Sequence, residues 1–289
     1  MVEIKRLACE LPYRLGLPLA RFSMSELQRA AVQRGIVASI GQTTIWRWLS
    51  EDAIRPWRVR SWVFPQDPDF PEKAGRILDL YQGIWKGRRL GDGDYVLCAD
   101  EKTSIQARRR EHPTTPPGPG RSIRLEHRYK RMGAWAYLAA WDVRRAKVFG
   151  RCERQTGIAP FDRLVAQVMS RSPYRSADRV FWIMDNGSSH RGKACVDRLQ
   201  SRWPNLKVVH TPKHASWLNQ VEIYFSIVQR KVLTPNDFRD LVELADDLLC
   251  FERHYAEVAK PFAWKFTRGD LNDLLAKLED RPWGSRRAA

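Results

Sequence analysis

Two uninterrupted apolar runs, each followed directly by an aspartate, constrain the fold of this chain most strongly. The run YVLCA leads into Asp100, and the run VFWIM leads into Asp185. Short apolar runs bounded by polar residues are typical of strands that are buried on both faces of a sheet. A carboxylate at the end of such a strand lies at the edge of the sheet, where a pocket can form while the strand stays packed. The two runs therefore predict an α/β fold with acidic groups at a sheet edge.

A third carboxylate, Glu222, lies in the segment SWLNQVEIYFSIVQRKV, whose apolar residues recur at helical spacing. Glu222 falls beside this apolar stripe rather than opposite it, so we expect it to point along the sheet edge toward Asp100 and Asp185. Taken alone, Glu222 would be an ordinary surface residue and Asp100 an ordinary turn residue. The stripe consists of Leu218, Val221, Phe225, Val228 and Val232.

Three carboxylates brought together repel one another unless divalent cations share them. A pair of Mg²⁺ ions, with Mn²⁺ as a substitute, is held in this way for in-line attack at phosphorus. The sequence thus predicts that Asp100, Asp185 and Glu222 are both the catalytic and the metal-binding residues.

The segments around these carboxylates alternate between strand and helix patterns. GAWAYLAAWDV and AKVFGRC predict a hairpin, PFDRLVAQVMSR and GKACVDRLQSRW predict helices, and LKVVHTP predicts a further strand. This order favours a central mixed sheet flanked by helices. The proline-rich segment PTTPPGPG predicts an exposed loop.

The first part of the chain has a helix-turn-helix pattern. Ser25 is expected to cap a helix over SELQRAAVQR that ends at Gly35, and GQTTIWRWLSE predicts a second helix. Thr43, Thr44 and Arg47 would lie on its outer face, available to a DNA major groove. A small helical bundle without a DNA role is the alternative.

The remaining segments complete the predicted organisation. RPWRVRSWVFPQDPDFPEK predicts an extended linker, followed by a helix around residues 72–89, and a helical tail that serves packing or dimerisation begins at Asn236. The predicted division is residues 1–55 (helix-turn-helix), 56–91 (linker and helix), 92–235 (α/β catalytic domain) and 236–289 (tail).

The charge of the chain favours a nucleic acid partner. The net charge is +17, and residues 101–155 contain 14 basic and 5 acidic side chains. His190 and His210 are interpreted as hydrogen-bonded structural residues, with support of the metal ligands as the alternative. We expect DNA contacts from Arg124, Arg128, Lys130 and Arg131 on the backbone, from Lys213 and His214 near the cleaved phosphate, and from Arg230 and Lys231 on the same basic face.

The five cysteines form no Cys-x-x-Cys pair, which indicates reduced thiols in a cytosolic protein. No apolar run approaches the length of a membrane span, about 18–20 residues. We therefore expect no membrane association.

Four segments resemble the catalytic blocks of bacterial insertion-sequence transposases related to the mariner superfamily: VLCADEKTSIQARRR, EHRYKRMGAW, VFWIMDNGSSH and HTPKHASWLNQVEIYFSIVQRKVL. The resemblance implies a ribonuclease H-like fold and an Asp-Asp-Glu triad that binds Mg²⁺, matched here by Asp100, Asp185 and Glu222. The 36 residues between Asp185 and Glu222 are similar to the spacing in that family. SWLNQVEIYF is the most specific of the matching pieces.

The resemblance also implies a reaction and its partners. Members of this family hydrolyse DNA strands at inverted-repeat ends, and the freed 3′-hydroxyl then attacks target DNA, usually at TA. They act as dimers or higher assemblies, and a bacterial cytoplasm, in association with the nucleoid, is the expected location.

One feature departs from the family pattern. Family members usually carry two helix-turn-helix units, and this chain has room for one; MVEIKRLACELP resembles a linker between two such units. We therefore expect impaired recognition of the element ends. A DNA-binding remnant without catalysis and a nuclease acting on RNA–DNA hybrids are the alternatives that remain open.

Overall fold

The computed structural model describes residues 1–59, 65, 67–187, 190 and 192–279. The chain forms two compact units, Met1–Phe64 and Pro65–Ala289. Of the predicted linker, residues 60–64 and 66 lie outside the described residues, as do residues 280–289 of the predicted tail. The four-part division given above stays a prediction.

The first unit is built from the helices α1 (Val2–Ala8), α2 (Met24–Gln33) and α3 (Gln42–Glu51), with a 3₁₀ turn at Pro12–Leu15. Their apolar faces close one core, in which Ile4, Leu27 and Ile45 are fully buried. The start of the chain thus forms a packed helix rather than the linker that MVEIKRLACELP suggested, because Ile4 and Leu7 face that core.

The cap of α2 differs from the prediction. Ser23, not Ser25, accepts the backbone N–H of Glu26, and Glu26 in turn accepts the backbone N–H of Ser23. This reciprocal capping box requires Glu three residues after the cap, a spacing that Ser23 has and Ser25 lacks. Gly35 follows the helix with a φ of +66°, as the predicted stop requires.

The second unit opens with α4 (Phe70–Tyr81) and a short hairpin of β1 (Ile84–Trp85) and β2 (Arg88–Arg89). The predicted helix over residues 72–89 is therefore too long. The chain leaves the helix near Gly83, whose φ of +73° is incompatible with continued helical backbone.

A five-stranded sheet forms the centre of this unit, in the order β5-β4-β3-β6-β7. The pairs β3–β4 and β4–β5 are antiparallel, and β3–β6 and β6–β7 are parallel, so the sheet is mixed as predicted. The strands are β3 (Asp94–Arg109), β4 (Lys130–Asp142), β5 (Lys147–Glu153), β6 (Arg179–Met184) and β7 (Leu206–His210). The flanking helices are α5 (Ile158–Met169), α6 (Gly192–Arg202), α7 (Val221–Lys231), α8 (Leu241–Val258) and α9 (Arg268–Glu279).

Helices cover both faces of the sheet, which explains the uninterrupted apolar runs. Val96 and Cys98 of β3 pack with residues of α4, α7 and α8. The alternate residues Leu97 and Ala99 pack on the other face with residues of α5 and α6. All four side chains are fully buried, and this burial of apolar surface on both faces of the sheet stabilises the unit.

The tail begins its helix later than predicted. Asp240 accepts the backbone N–H groups of Val242 and Glu243, and this cap sets the start of α8 at Leu241 rather than at Asn236. Among the described residues, no helix has the length and apolar character needed to cross a membrane.

Candidate active site

Asp100 lies inside a long strand, not at its end as the sequence suggested, because β3 continues to Arg109. The parallel pairing of β3 with β6 nevertheless stops at Cys98 and Ile183. Asp100 therefore lies just past the last residue that β6 covers, and Asp185 follows the end of β6 directly. The topology brings the two aspartates to the same edge of the sheet, where Asp100 is only 8% exposed.

Glu222 is the second residue of α7, which begins at Val221. The helical spacing predicted an earlier start, but a separate 3₁₀ turn at Ser216–Leu218 precedes the helix and buries Leu218. Glu222 is half-buried in the first turn of the helix.

Two hydrogen bonds from outside the helix fix the position of that first turn. The buried side-chain amide of Asn219 donates to the carbonyl oxygen of Ala99 at 2.9 Å. The hydroxyl of Tyr81 donates to the carbonyl oxygen of Leu218 at 2.5 Å. Since Ala99 immediately precedes Asp100, the Asn219 amide ties the helix that carries Glu222 to the strand that carries Asp100.

The three carboxylates share one electrostatic environment. Burial raises the pKa of Asp100 to about 7, and the negative charges of Asp185, Glu101 and Glu222 add to the effect. Burial also raises the pKa of Glu222, with Asp185 contributing in the same direction and Lys102 opposing it. The ionised forms of Asp100 and Glu222 are thus destabilised by burial and by the charge of Asp185, a situation that a bound cation relieves.

The donor set suits a divalent cation of the Mg²⁺ class, because carboxylate oxygens are the protein ligands that this ion prefers. Within the part of the chain that the structure describes, no three His, Cys, Asp or Glu side chains are already grouped closely enough to hold a metal ion.

His190 is fully buried between two carboxylates. Its Nδ1 lies 2.9 Å from Oδ1 of Asp185, and its Nε2 lies 3.2 Å from Oε1 of Glu101. Burial alone would lower the pKa of His190, but the two carboxylates outweigh it and raise the pKa to about 9. The imidazolium is therefore the form present at neutral pH, and its hydrogen bond is the main cause of the lowered pKa of Asp185.

The same oxygen of Asp185 also accepts the backbone N–H of Gly187 at 2.7 Å. The backbone of His190 is held in turn, because Nε2 of His210 donates to its carbonyl oxygen at 2.6 Å. Asp185 is thus oriented by a chain of contacts that leads through both histidines.

Lys213 and His214, which were predicted to lie near the cleaved phosphate, are found beside Asp185. Both are exposed and line one pocket of about 450 Å³ together with Asp185 and Asn186. The backbone N–H of Lys213 donates to Oδ2 of the buried Asp67 at 2.9 Å, which anchors this side of the pocket.

Of the two predicted basic residues on α7, Arg230 lines a second depression together with Glu222 and Lys102. Lys231, the last residue of the helix, is exposed and is not among the residues that line this depression.

The other predicted backbone contacts are remote from the carboxylates. Arg124, Arg128, Lys130 and Arg131 are all exposed. Lys130 pairs with Arg109 on β3 whereas Ala139 pairs with Asp100, a separation of nine residues or about 30 Å along the strand. Lys130 also forms a 3.1 Å ion pair with Glu111.

In the first unit, Thr43 and Arg47 are exposed on α3, and Thr44 is half-buried. Ile45 and Leu49 on the opposite face are buried, so the exposed face of this helix is the one that was predicted.

Nothing in the sequence indicated the roles of Asn219 and Tyr81. The motif SWLNQVE gave the register around Glu222, but the partner of Asn219 is 120 residues away in the chain. The His190 contact with Asp185 was open to prediction from the five-residue spacing within DNGSSH, although the sequence favoured a structural histidine.

A family described as DDE superfamily endonuclease matches residues 95–245, which include all three carboxylates. A comparison with curated proteins gave no match.

Among solved structures, the Mos1 mariner paired-end complex with Mn is 15% identical, with a TM-score of 0.51 over 91% of this chain and 79% of that chain. The Mos1 paired-end complex with left transposon end is 14% identical, with a TM-score of 0.48 over 91% and 78%. The first likeness shows a shared fold, and the mixed sheet with helices on both faces has the ribonuclease H-like architecture that the resemblance implied. Because the family match spans more than half of the chain and contains the whole carboxylate edge of the sheet, this protein belongs to the DDE superfamily endonuclease family.

Proposed function

We propose that this protein is a DNA transposase that cleaves phosphodiester bonds at inverted-repeat ends and joins the freed 3′-hydroxyl to target DNA. One observation carries the proposal. Carboxylates from β3, from the end of β6 and from α7 interact at a single sheet edge: burial together with the charge of Asp185 raises the pKa of Asp100 to about 7 and also raises the pKa of Glu222. Family membership supports endonuclease chemistry at that edge.

In this proposal Asp100, Asp185 and Glu222 hold a pair of Mg²⁺ ions, for which Mn²⁺ substitutes. When bound, such ions activate the attacking hydroxyl and stabilise the leaving oxygen. The chain itself supplies orientation: His190 fixes one oxygen of Asp185, and the Asn219 amide holds the start of α7 against β3.

The groups around the carboxylates complete the role of the chain. Lys213 and His214 line the pocket beside Asp185 and are available to the phosphate that is cut. Burial of Asp100 limits its contact with water, which strengthens its electrostatic interactions.

We assign duplex DNA recognition to the first unit, through Thr43, Thr44 and Arg47 on α3. The Mos1 structures are complexes with transposon ends, and we extend that partner to this chain together with action as a dimer or higher assembly. The packed three-helix core, with Leu49 fully buried, supports a stable unit able to present α3.

The test is nicking of supercoiled plasmid in Mg²⁺ or Mn²⁺. Wild type is compared with Glu222→Gln and with Glu257→Gln, a matched control whose side chain is exposed on α8. We expect nicking by wild type and by the control, and its loss in Glu222→Gln. Nicking that persists in Glu222→Gln would refute the assignment of the three carboxylates. DNA binding without nicking by any of the proteins would favour a remnant that only binds DNA.

A further inference from the structure

A groove of about 350 Å³ runs beside the outer half of β3. One wall consists of residues 102–106 with Arg108 and Arg110, and the other of Gln229 and residues 233–236. Among the described residues that line it, three are basic and none is acidic. The groove adjoins the depression that contains Glu222, because Lys102 and Gln229 line both.

A β-bulge shapes the first wall. Lys102 pairs with Tyr137 and Ile105 pairs with Trp135, so Thr103 and Ser104 together face a single residue of β4. Ser104 has a φ of +56°, and both bulged side chains are exposed. Bulges of this kind redirect side chains, and here Thr103 and Ser104, which both carry a hydroxyl group, line the groove between Lys102 and Arg108.

Hydrogen bonds to β3 hold the second wall in place. The side chain of Asn236 accepts the backbone N–H of Arg108 at 3.1 Å and donates to the carbonyl oxygen of Gln106 at 2.9 Å. The backbone N–H of Phe238 donates to the carbonyl oxygen of Arg108 at 3.0 Å. Because the loop is bonded to the strand much as an added strand would be, the groove is formed before anything binds in it.

Among the described residues, the guanidinium groups of Arg108 and Arg110 form no ion pair with a carboxylate and are held by other contacts. The guanidinium of Arg108 stacks over the ring of Tyr129, 4.7 Å from its centroid. Arg110 donates to the backbone carbonyl oxygens of Glu126, His127 and Arg128. Lys102 lines the same depression as Glu222, and its positive charge acts to lower the pKa of that carboxylate.

We infer that this groove binds the phosphate backbone of DNA on one side of the bond that is cut at the carboxylates. The inference rests on the proposed function. Phosphate oxygens are the natural partners of cations and hydroxyl groups in a preformed groove, and such contacts set the position of the duplex rather than read its sequence. Lys102 and Arg108 are the principal contacts, with the hydroxyl groups of Thr103 and Ser104 between them.

The experiment measures binding of the full chain to a fluorescent duplex of random sequence in EDTA, over a range of KCl concentrations. The double variant Lys102→Gln/Arg108→Gln is compared with the charge-matched control Lys147→Gln/Arg175→Gln. Both control residues are exposed; Lys147 begins β5, and Arg175 lies just before the start of β6, at the opposite end of that strand from Asp185.

Loss of two phosphate contacts should reduce the slope of log K against log [salt] by about 2, since each contact contributes about 0.9. We expect this reduction in the groove variant and a wild-type slope in the control. An unchanged slope in the groove variant, or an equal fall in both variants, would overturn the inference. If circular dichroism shows that the double variant is unfolded, Lys102→Gln alone should reduce the slope by about 1.

The plasmid-nicking assay separates this inference from the proposed function. If the wild-type protein nicks DNA in metal but the groove variant keeps the wild-type salt slope, the groove inference is refuted and the proposed function stands. If the groove variant has a reduced salt slope but the wild-type protein never nicks DNA, the groove stands as a DNA-binding surface and the proposed enzymatic activity is refuted.

Discussion

Replacement of Asn219 by alanine tests whether one buried amide holds the candidate active site together. Asn219 is fully buried, and its side chain donates to the carbonyl oxygen of Ala99 at 2.9 Å. That carbonyl belongs to the residue before Asp100, and Glu222 follows Asn219 by three positions. The substitution therefore removes a link between two of the three carboxylates without touching either of them.

The magnitude follows from the burial of both partners. A typical internal hydrogen bond contributes about 1 kcal/mol, and a buried acceptor that loses its donor costs about 1–3 kcal/mol. We expect Asn219→Ala to lower the free energy of unfolding by about 2 kcal/mol. Loss of groups that orient metal ligands typically weakens metal binding by about 10–100-fold, and we expect about tenfold for Mn²⁺.

The assays are urea unfolding and Mn²⁺ titration by calorimetry, with Asn205→Ala as the matched control. The side-chain nitrogen of Asn205 donates to the carbonyl oxygens of Tyr174 and Ala177, in a part of the same unit that carries none of the three carboxylates. The control should lose stability and keep wild-type Mn²⁺ affinity. If Asn219→Ala loses stability but binds Mn²⁺ as tightly as wild type, the amide serves only the fold and the positioning argument is wrong.

Three further predictions address other parts of the molecule. Arg47→Ala should reduce discrimination between specific and random duplexes in a competition assay; unchanged discrimination would exclude Arg47 from base reading. Burial raises the pKa of Glu252 to about 7. The folded protein therefore holds the proton of Glu252 more tightly than the unfolded chain does. The resulting stabilisation is complete below pH about 4.5 and is lost as the pH rises to about 7. Glu252→Gln should remove about 2.5 kcal/mol of the difference in unfolding free energy between pH 5 and pH 8, measured by urea unfolding, and equal pH profiles would contradict the assignment. Gly150→Ala should destabilise the protein by about 1–3 kcal/mol because its Cβ would meet the buried hydroxyl of Tyr137, and a neutral effect in thermal unfolding would show that the site can relax.

The sequence was sufficient for the centre of the sheet and insufficient for the elements that extend beyond it. YVLCA and VFWIM are buried on both faces, so their apolar character alone identified β3 and β6. Beyond Asp100, β3 pairs with β4 alone, and most of its side chains there are not buried. No apolar run marks such a segment; only the alternate burial of Ile105 and Ala107 reveals a strand.

The candidate site shows the same division between local and distant information. The positions of Asp185 and Glu222 follow from local patterns, a strand end and a helical stripe. The start of α7 does not, because periodicity cannot separate a 3₁₀ turn that buries Leu218 from the first turn of a helix. The contacts of Asn219 with Ala99 and of His190 with Glu101 join distant parts of the chain, and a single sequence carries no signal for such pairs.

The length of β3 connects the chemistry to the DNA path that we infer. Its first half lies between β4 and β6 and places Asp100 where β6 ends. Its second half, freed from β6, carries the bulge and the basic groove. Because one strand holds both features, a phosphate bound at Arg108 has a fixed position along the strand relative to Asp100, eight residues or about 26 Å away. A groove on a separate loop would lack that fixed distance. The extension of β3 past its parallel partner is therefore the structural feature that would align a DNA backbone with the carboxylates.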